Sequence, residues 1–158
     1  MLPKKNLGII IAIILLIIIV AVVLRSKHDA GNNNKNANVE ATTSKTQVPE
    51  SQLPNKLPAN IPVEAGAEVV DNYNAQSSDG RYQATRTFET KQTLAANLKL
   101  YSDYLKNNGW TLQAVTDKQT YKMVVGAKGN QILQISIDEN LSSKTKTVSI
   151  ILTEGELK

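Results

Sequence analysis

The stretch TLAANLKLYSDYLKNNGW, residues 93–110, decides how the C-terminal part of this chain folds. Leu94, Leu98, Tyr101 and Leu105 recur at i, i+4, i+7 and i+11, which puts them within about 60° of one another on a helix that turns 100° per residue. Lys99, Asp103 and Lys106 fall on the opposite side, with Lys99 and Asp103 spaced to pair one turn apart. Thr93 supplies an N-cap hydroxyl. Asn108-Gly109 supplies a stop, because glycine accepts the left-handed conformation that ends a helix. The spacing therefore predicts one amphipathic helix over 94–108. Trp110, directly after the stop, is expected as a core plug beneath the helix, with a ligand-stacking platform as the sharper alternative. Tyr104 lies about 80° from the centre of the stripe and is expected at its boundary. With Tyr73 it is a candidate exposed surface contact.

On both sides of the helix the apolar period falls to two. Residues 67–75 and 81–89 flank Ser77-Ser78-Asp79-Gly80, whose Asp-Gly pair signals a hairpin. The second of these runs puts Tyr82, Ala84 and Phe88 on one face, with Arg86 as a misfit among them. After the helix come alternating runs at 110–116, 121–127, 131–138 and 145–153. Their apolar faces read as Tyr121, Met123, Val125 and Ala127, then Leu133, Ile135 and Ile137, then Val148, Ile150 and Leu152. The expected class is α+β: a ββαββββ domain over 61–158, one helix packed on a mostly antiparallel sheet. No repeated β-α-β unit occurs, so no dinucleotide-binding crevice is suggested.

Residues 7–24 form an unbroken apolar run of 18 residues, about 27 Å long as a helix and close to the hydrocarbon thickness of a bilayer. A cleaved signal peptide competes with this reading, since Lys4 and Lys5 make a basic n-region. The run is longer than such segments usually are, and no small-x-small cleavage pattern follows it. It is therefore expected as an uncleaved transmembrane signal anchor behind a cytoplasmic n-region, 1–6. Lys4 and Lys5 before the run and Arg25 and Lys27 after it nearly cancel in the positive-inside rule. The soluble build beyond the run favours an extracytoplasmic C-terminal domain, single-pass in the cell membrane. Residues 25–60, rich in Asn, Ser, Thr and Pro and without apolar period, read as a flexible linker reaching about 30 Å.

Charge and composition exclude several functions. The net charge of +4 sits in the first 59 residues, which hold 7 basic and 3 acidic side chains, whereas residues 60–158 hold 11 of each. The domain is neutral, so a nucleic-acid partner is not expected. With no cysteine there is no disulfide, thiolate or lipidation chemistry. His28, the only histidine, lies beside the apolar run and has no second residue to form a dyad or a zinc site. Asp138-Glu139 reads as a solvated turn, and no phosphate-cradling glycine loop occurs. No catalytic, cofactor or metal residue is named.

The run Phe88-Glu89-Thr90, then Tyr101, Leu105 and Gly109-Trp110, followed by short alternating strands, resembles a group of small, uncharacterised bacterial membrane-anchored proteins. The resemblance covers residues 60–153 and implies an N-terminal anchor or lipid site, a polar linker, a Pro-rich lead-in and an α+β domain. Its lipidated members carry a cysteine that this chain lacks. The expected function is a non-enzymatic binding module of an anchored protein, with the bilayer as one partner and a protein or envelope polymer as the other. The alternative is an accessory subunit acting through its transmembrane helix, where Gly8 and Ala12 form a small-x3-small pair.

Overall fold

A computed structural model describes residues 43–155. The n-region, the apolar run 7–24, its flanking charges and the first part of the linker lie outside the described residues. Helix α1 covers Leu94–Asn107. The Thr93 hydroxyl accepts the Ala96 N–H at 3.1 Å, and Lys99 pairs with Asp103 at 2.5 Å on the solvent side. The last turn closes as expected: Gly109 has φ 76°, and the Trp110 N–H donates to the Leu105 carbonyl at 3.0 Å. Lys128 adds a further donor to the Asn108 carbonyl at 3.1 Å, which suits the negative end of the helix.

The strands are β1 Thr43–Gln47, β2 Val69–Ser77, β3 Tyr82–Glu89, β4 Thr111–Asp117, β5 Tyr121–Lys128, β6 Gln131–Glu139 and β7 Lys146–Glu154. They form one sheet in the order β1-β2-β3-β7-β6-β5-β4, and every neighbouring pair is antiparallel. The hairpin at Asp79-Gly80 is as read, with Gly80 at φ 85°. The element order is βββαββββ, one strand more than the sequence reading, because β1 falls inside the stretch read as linker.

One face of the sheet carries the core. Ala84, Phe88, Val148, Ile150, Leu152, Leu133, Ile135, Ile137 and Val124 are buried there with Leu94, Tyr101, Leu105 and Trp110. Helix α1 lies over β4, β5 and β6. The β2–β3 side is tied to the segment 48–67. Leu57 and Ile61 belong to the same core, with Leu53, Val63 and Ala67 packed against it, and Pro54 is fully buried. The linker boundary at residue 60 is thus corrected to a folded unit that includes Thr43. Composition misled because this strap is held by single anchors, not by a periodic face. Its polar ties are specific: Tyr101 donates to the Pro62 carbonyl at 2.8 Å, and the Glu64 carboxylate accepts the Thr90 hydroxyl at 2.6 Å.

The phase of β5 is also corrected. Its core side is Lys122, Val124 and Gly126, which pair with Ile137, Ile135 and Leu133, whereas Tyr121, Met123, Val125 and Ala127 point away from the helix. Gly126 explains the inversion. A Cβ there would stand 3.0 Å from Leu105 Cδ2 and from Trp110 Cβ, so the helix end and the buried Trp110 occupy the room that a side chain would take. Trp110 is the core plug anticipated from its position.

Candidate functional site

No described element covers the other face of the sheet, so it is the natural place to look for a binding surface. The registers place three rows of side chains across it. The middle row runs Tyr73, Thr85, Ile151, Gln134, Val125 and Ala114. One flanking row runs Asp71, Thr87, Ser149, Ser136, Met123 and Thr116. The other runs Ala75, Gln83, Thr153, Ile132, Ala127 and Thr111. Across β3, β7, β6 and β5 these rows hold no formal charge. Ionic groups stand only at the rim, where Lys45 meets Asp71 at 3.5 Å and where Glu89 and Asp138 lie one row further out.

Several of these side chains are fixed by one another. The Gln83 amide donates to the Thr85 hydroxyl at 2.8 Å and to the Tyr73 hydroxyl at 3.2 Å. Thr87 and Ser149 share a hydrogen bond of 3.0 Å across the β3–β7 pair. Gln134 and Ser136 lie in the same rows at 8% and 9% accessibility, and among the described residues the buried side-chain polar atom without a partner is Arg86 Nε on the core face.

The two tyrosines expected as exposed contacts are not exposed. Tyr73 is 6% accessible, because β1 pairs outside β2 and carries Lys45 Nζ to 3.7 Å from the ring centroid. Tyr104 is 7% accessible, because the strap runs along that flank of α1 and its Asn60 Oδ1 accepts the Tyr104 hydroxyl at 3.2 Å. Both corrections have one cause, the folding of residues 43–62. The sequence reading did not single out this face, and its signal was the polar half of the alternation in 131–139, set beside Gln83, Thr85 and Thr87 and beside Ser149 and Thr153.

No family model matches this chain, and no curated protein or solved structure is significantly similar to it. The case for function accordingly rests on the geometry of the face.

Among the described residues no group of three or more His, Asp or Glu side chains could hold a metal ion, and no helix is long and apolar enough to cross a membrane. Burial pushes the Tyr101 phenol well above its ordinary range, with the Glu64 charge adding to the effect. The same desolvation raises the carboxyl of Asp138 above its usual value of 3.8. Such a group binds its proton more tightly in the folded state than in the unfolded chain. Stability therefore declines as pH rises through the interval from that unfolded value up to the raised one, and stays lower above it. Asp138→Asn removes this dependence. The variant should gain on the natural chain between pH 3 and pH 7 in urea denaturation, the two midpoints drawing apart as pH increases. A constant gap would show that burial of the Asp138 charge has no effect.

Proposed function

We propose that this chain is a single-pass membrane-anchored protein that presents residues 43–155 outside the cytoplasm as a binding module, with the helix-free face of the sheet as its contact surface. The observation that supports the binding reading is the helix-free face itself, which no described element covers and whose rows carry no formal charge across β3, β7, β6 and β5. The anchor is read from residues 7–24 of the sequence. Inclusion of β1 in the sheet leaves residues 25–42 between that run and the domain, which would hold the module close to the bilayer.

Topology tests the reading. The chain has no cysteine, so Ser78→Cys, at the exposed β2–β3 turn, is a unique probe for a membrane-impermeant maleimide. Labelling in intact cells is expected. Protection lost only on lysis would overturn the extracytoplasmic module and leave the accessory subunit as the reading to pursue.

A further inference from the structure

A chemically reactive pair stands where the strap meets the end of α1. Asn108 precedes Gly109, and a glycine puts no side chain in the way when its own backbone nitrogen attacks the amide of the asparagine before it. We propose that Asn108 is a deamidation site that the strap keeps closed, so that release of the strap lets it convert and the conversion prevents the strap from regaining its original hold.

Three hydrogen bonds form a closed ring at this corner. The Tyr104 hydroxyl donates to Asn60 Oδ1 at 3.2 Å, Asn60 Nδ2 donates to Asn108 Oδ1 at 2.7 Å, and Asn108 Nδ2 donates to the Tyr104 carbonyl at 2.8 Å. The last of these fixes the sense of the ring. A backbone carbonyl only accepts, so Asn108 must offer its nitrogen there and its oxygen to Asn60. Asn60 is the strap's member of the ring. The backbone adds a second guard. Deamidation begins when the Gly109 nitrogen attacks Asn108 Cγ, which requires that nitrogen to eclipse Cβ. At the observed ψ of 19° it is turned away. Swinging it round would carry Trp110 with it and break the bond of the Trp110 N–H to the Leu105 carbonyl, 3.0 Å long. Lys128 Nζ, 3.1 Å from the Asn108 carbonyl, draws electron density from the same peptide unit and eases loss of the Gly109 proton. The pair is thus activated chemically and held back by geometry.

The reaction consumes water and involves no redox change. A bond forms between the Gly109 nitrogen and Asn108 Cγ, the Cγ–Nδ2 bond breaks, and ammonia leaves with the proton of the attacking N–H. Water then opens the cyclic imide at either carbonyl, giving aspartate, or isoaspartate with the main chain rerouted through the side chain. Both products place an anion at the C-terminal end of α1, where the helix dipole opposes it. Aspartate sets a carboxylate oxygen against the Tyr104 carbonyl in place of a donor, and isoaspartate lengthens the chain at the helix stop. The ring does not close again.

The test holds the full chain in detergent micelles in warm, mildly alkaline buffer, with and without urea, and follows the mass of the peptide containing Asn108. Without urea, deamidation at Asn108 should run at least about tenfold slower than in urea, because only the fraction with the cap open reacts. Asn60→Ala leaves the Asn108-Gly109 pair intact and removes the strap's member of the ring. Folded, this variant should deamidate several-fold faster than the natural chain, and in urea at the same rate. Should it fail to fold, Tyr104→Phe removes the hydroxyl that orients Asn60 and should shift the rate in the same direction by less. The deamidated fraction, separated by its added negative charge, should unfold at a lower urea midpoint than the unreacted chain. Equal rates with and without urea, folded ring variants no faster than the natural chain, or a deamidated fraction with an unchanged midpoint would each overturn the proposal.

Discussion

A chain beginning at Ile61 should show no cooperative unfolding transition in urea, whereas one beginning at Thr43 should unfold in a single step. Composition places the domain boundary at residue 60, and the shorter chain would follow from it. The structure gives physical reasons why it fails. Leu57 is buried in the core, Leu53 packs against it and Pro54 is fully buried, so removal of 43–60 loses these side chains and exposes the apolar surface they pack on. Burial of one leucine contributes about 1.5–3 kcal/mol. The carbonyls at Val48, Pro49, Glu50 and Gln52 leave together with the bonds they accept from Asn72 and Arg86, each contributing about 1 kcal/mol net. β2 then becomes an unprotected edge, a liability in itself. The combined loss is at least about 5 kcal/mol, comparable to the whole stability of a small domain, roughly 5–15 kcal/mol. Equal urea midpoints for the two chains would show that the strap merely lies on the surface.

The residues that misled the boundary also explain which parts of the fold were legible. Helix α1, its Thr93 cap and its Gly109 stop are written in local spacing, and so is the Asp79-Gly80 hairpin. Those elements are stabilised by residues within a turn or two, so the chain states them directly. The phases of β6 and β7 were equally plain, since Ile135, Ile137, Val148 and Ile150 sit opposite polar neighbours. β5 was not, because Val124 and Gly126 carry less apolar bulk than Met123 and Val125 on the other face. Only the presence of Leu105 and Trp110 above Gly126 decides which face is inside. β1 has five exposed side chains and no period, so its strand state comes from pairing with β2, 26 or more residues away in sequence. Tyr73 and Tyr104 inherit the same non-local dependence. The candidate face was half legible: its polar alternation is in the sequence, but the neutrality of whole rows emerges only when register sets the strands side by side.

The second large effect is expected at Asn72. Asn72→Ala should lower stability by about 3 kcal/mol, and Arg86→Met by less. Both side chains are buried, at 4% and 7% accessibility, on the core face where sequence alone made Arg86 a misfit. The Asn72 amide nitrogen lies 3.1, 2.9 and 3.0 Å from the carbonyls of Val48, Pro49 and Gln52, and its Oδ1 accepts from Arg86 Nη1 at 3.1 Å. Arg86 also donates to the Gln52 carbonyl at 3.0 Å and the Glu50 carbonyl at 3.1 Å. Its Nε has no partner among the described residues. Desolvation lowers the guanidinium below its ordinary range, partly offset by the Glu50 charge, and an arginine side chain stays protonated in proteins. Loss of Asn72 consequently takes a donor from three carbonyls, of which Pro49 keeps the Gln52 N–H and Gln52 keeps Arg86 Nη1, and removes the side-chain acceptor of a buried cation. Arg86→Met takes a donor from the Glu50 and Gln52 carbonyls, but it also removes the desolvated charge and its unbonded Nε, and that relief offsets part of the loss. The two costs should therefore not add. The double variant should be less destabilised than the sum of the singles by about 1 kcal/mol or more, since once Arg86 is gone, Asn72→Ala no longer takes an acceptor from a buried charge. Urea midpoints of the four chains measure this coupling. Strict additivity would mean that Arg86 and Asn72 hold the strap independently, and a larger loss for Arg86→Met than for Asn72→Ala would mean that the bonds of the guanidinium outweigh the cost of burying it.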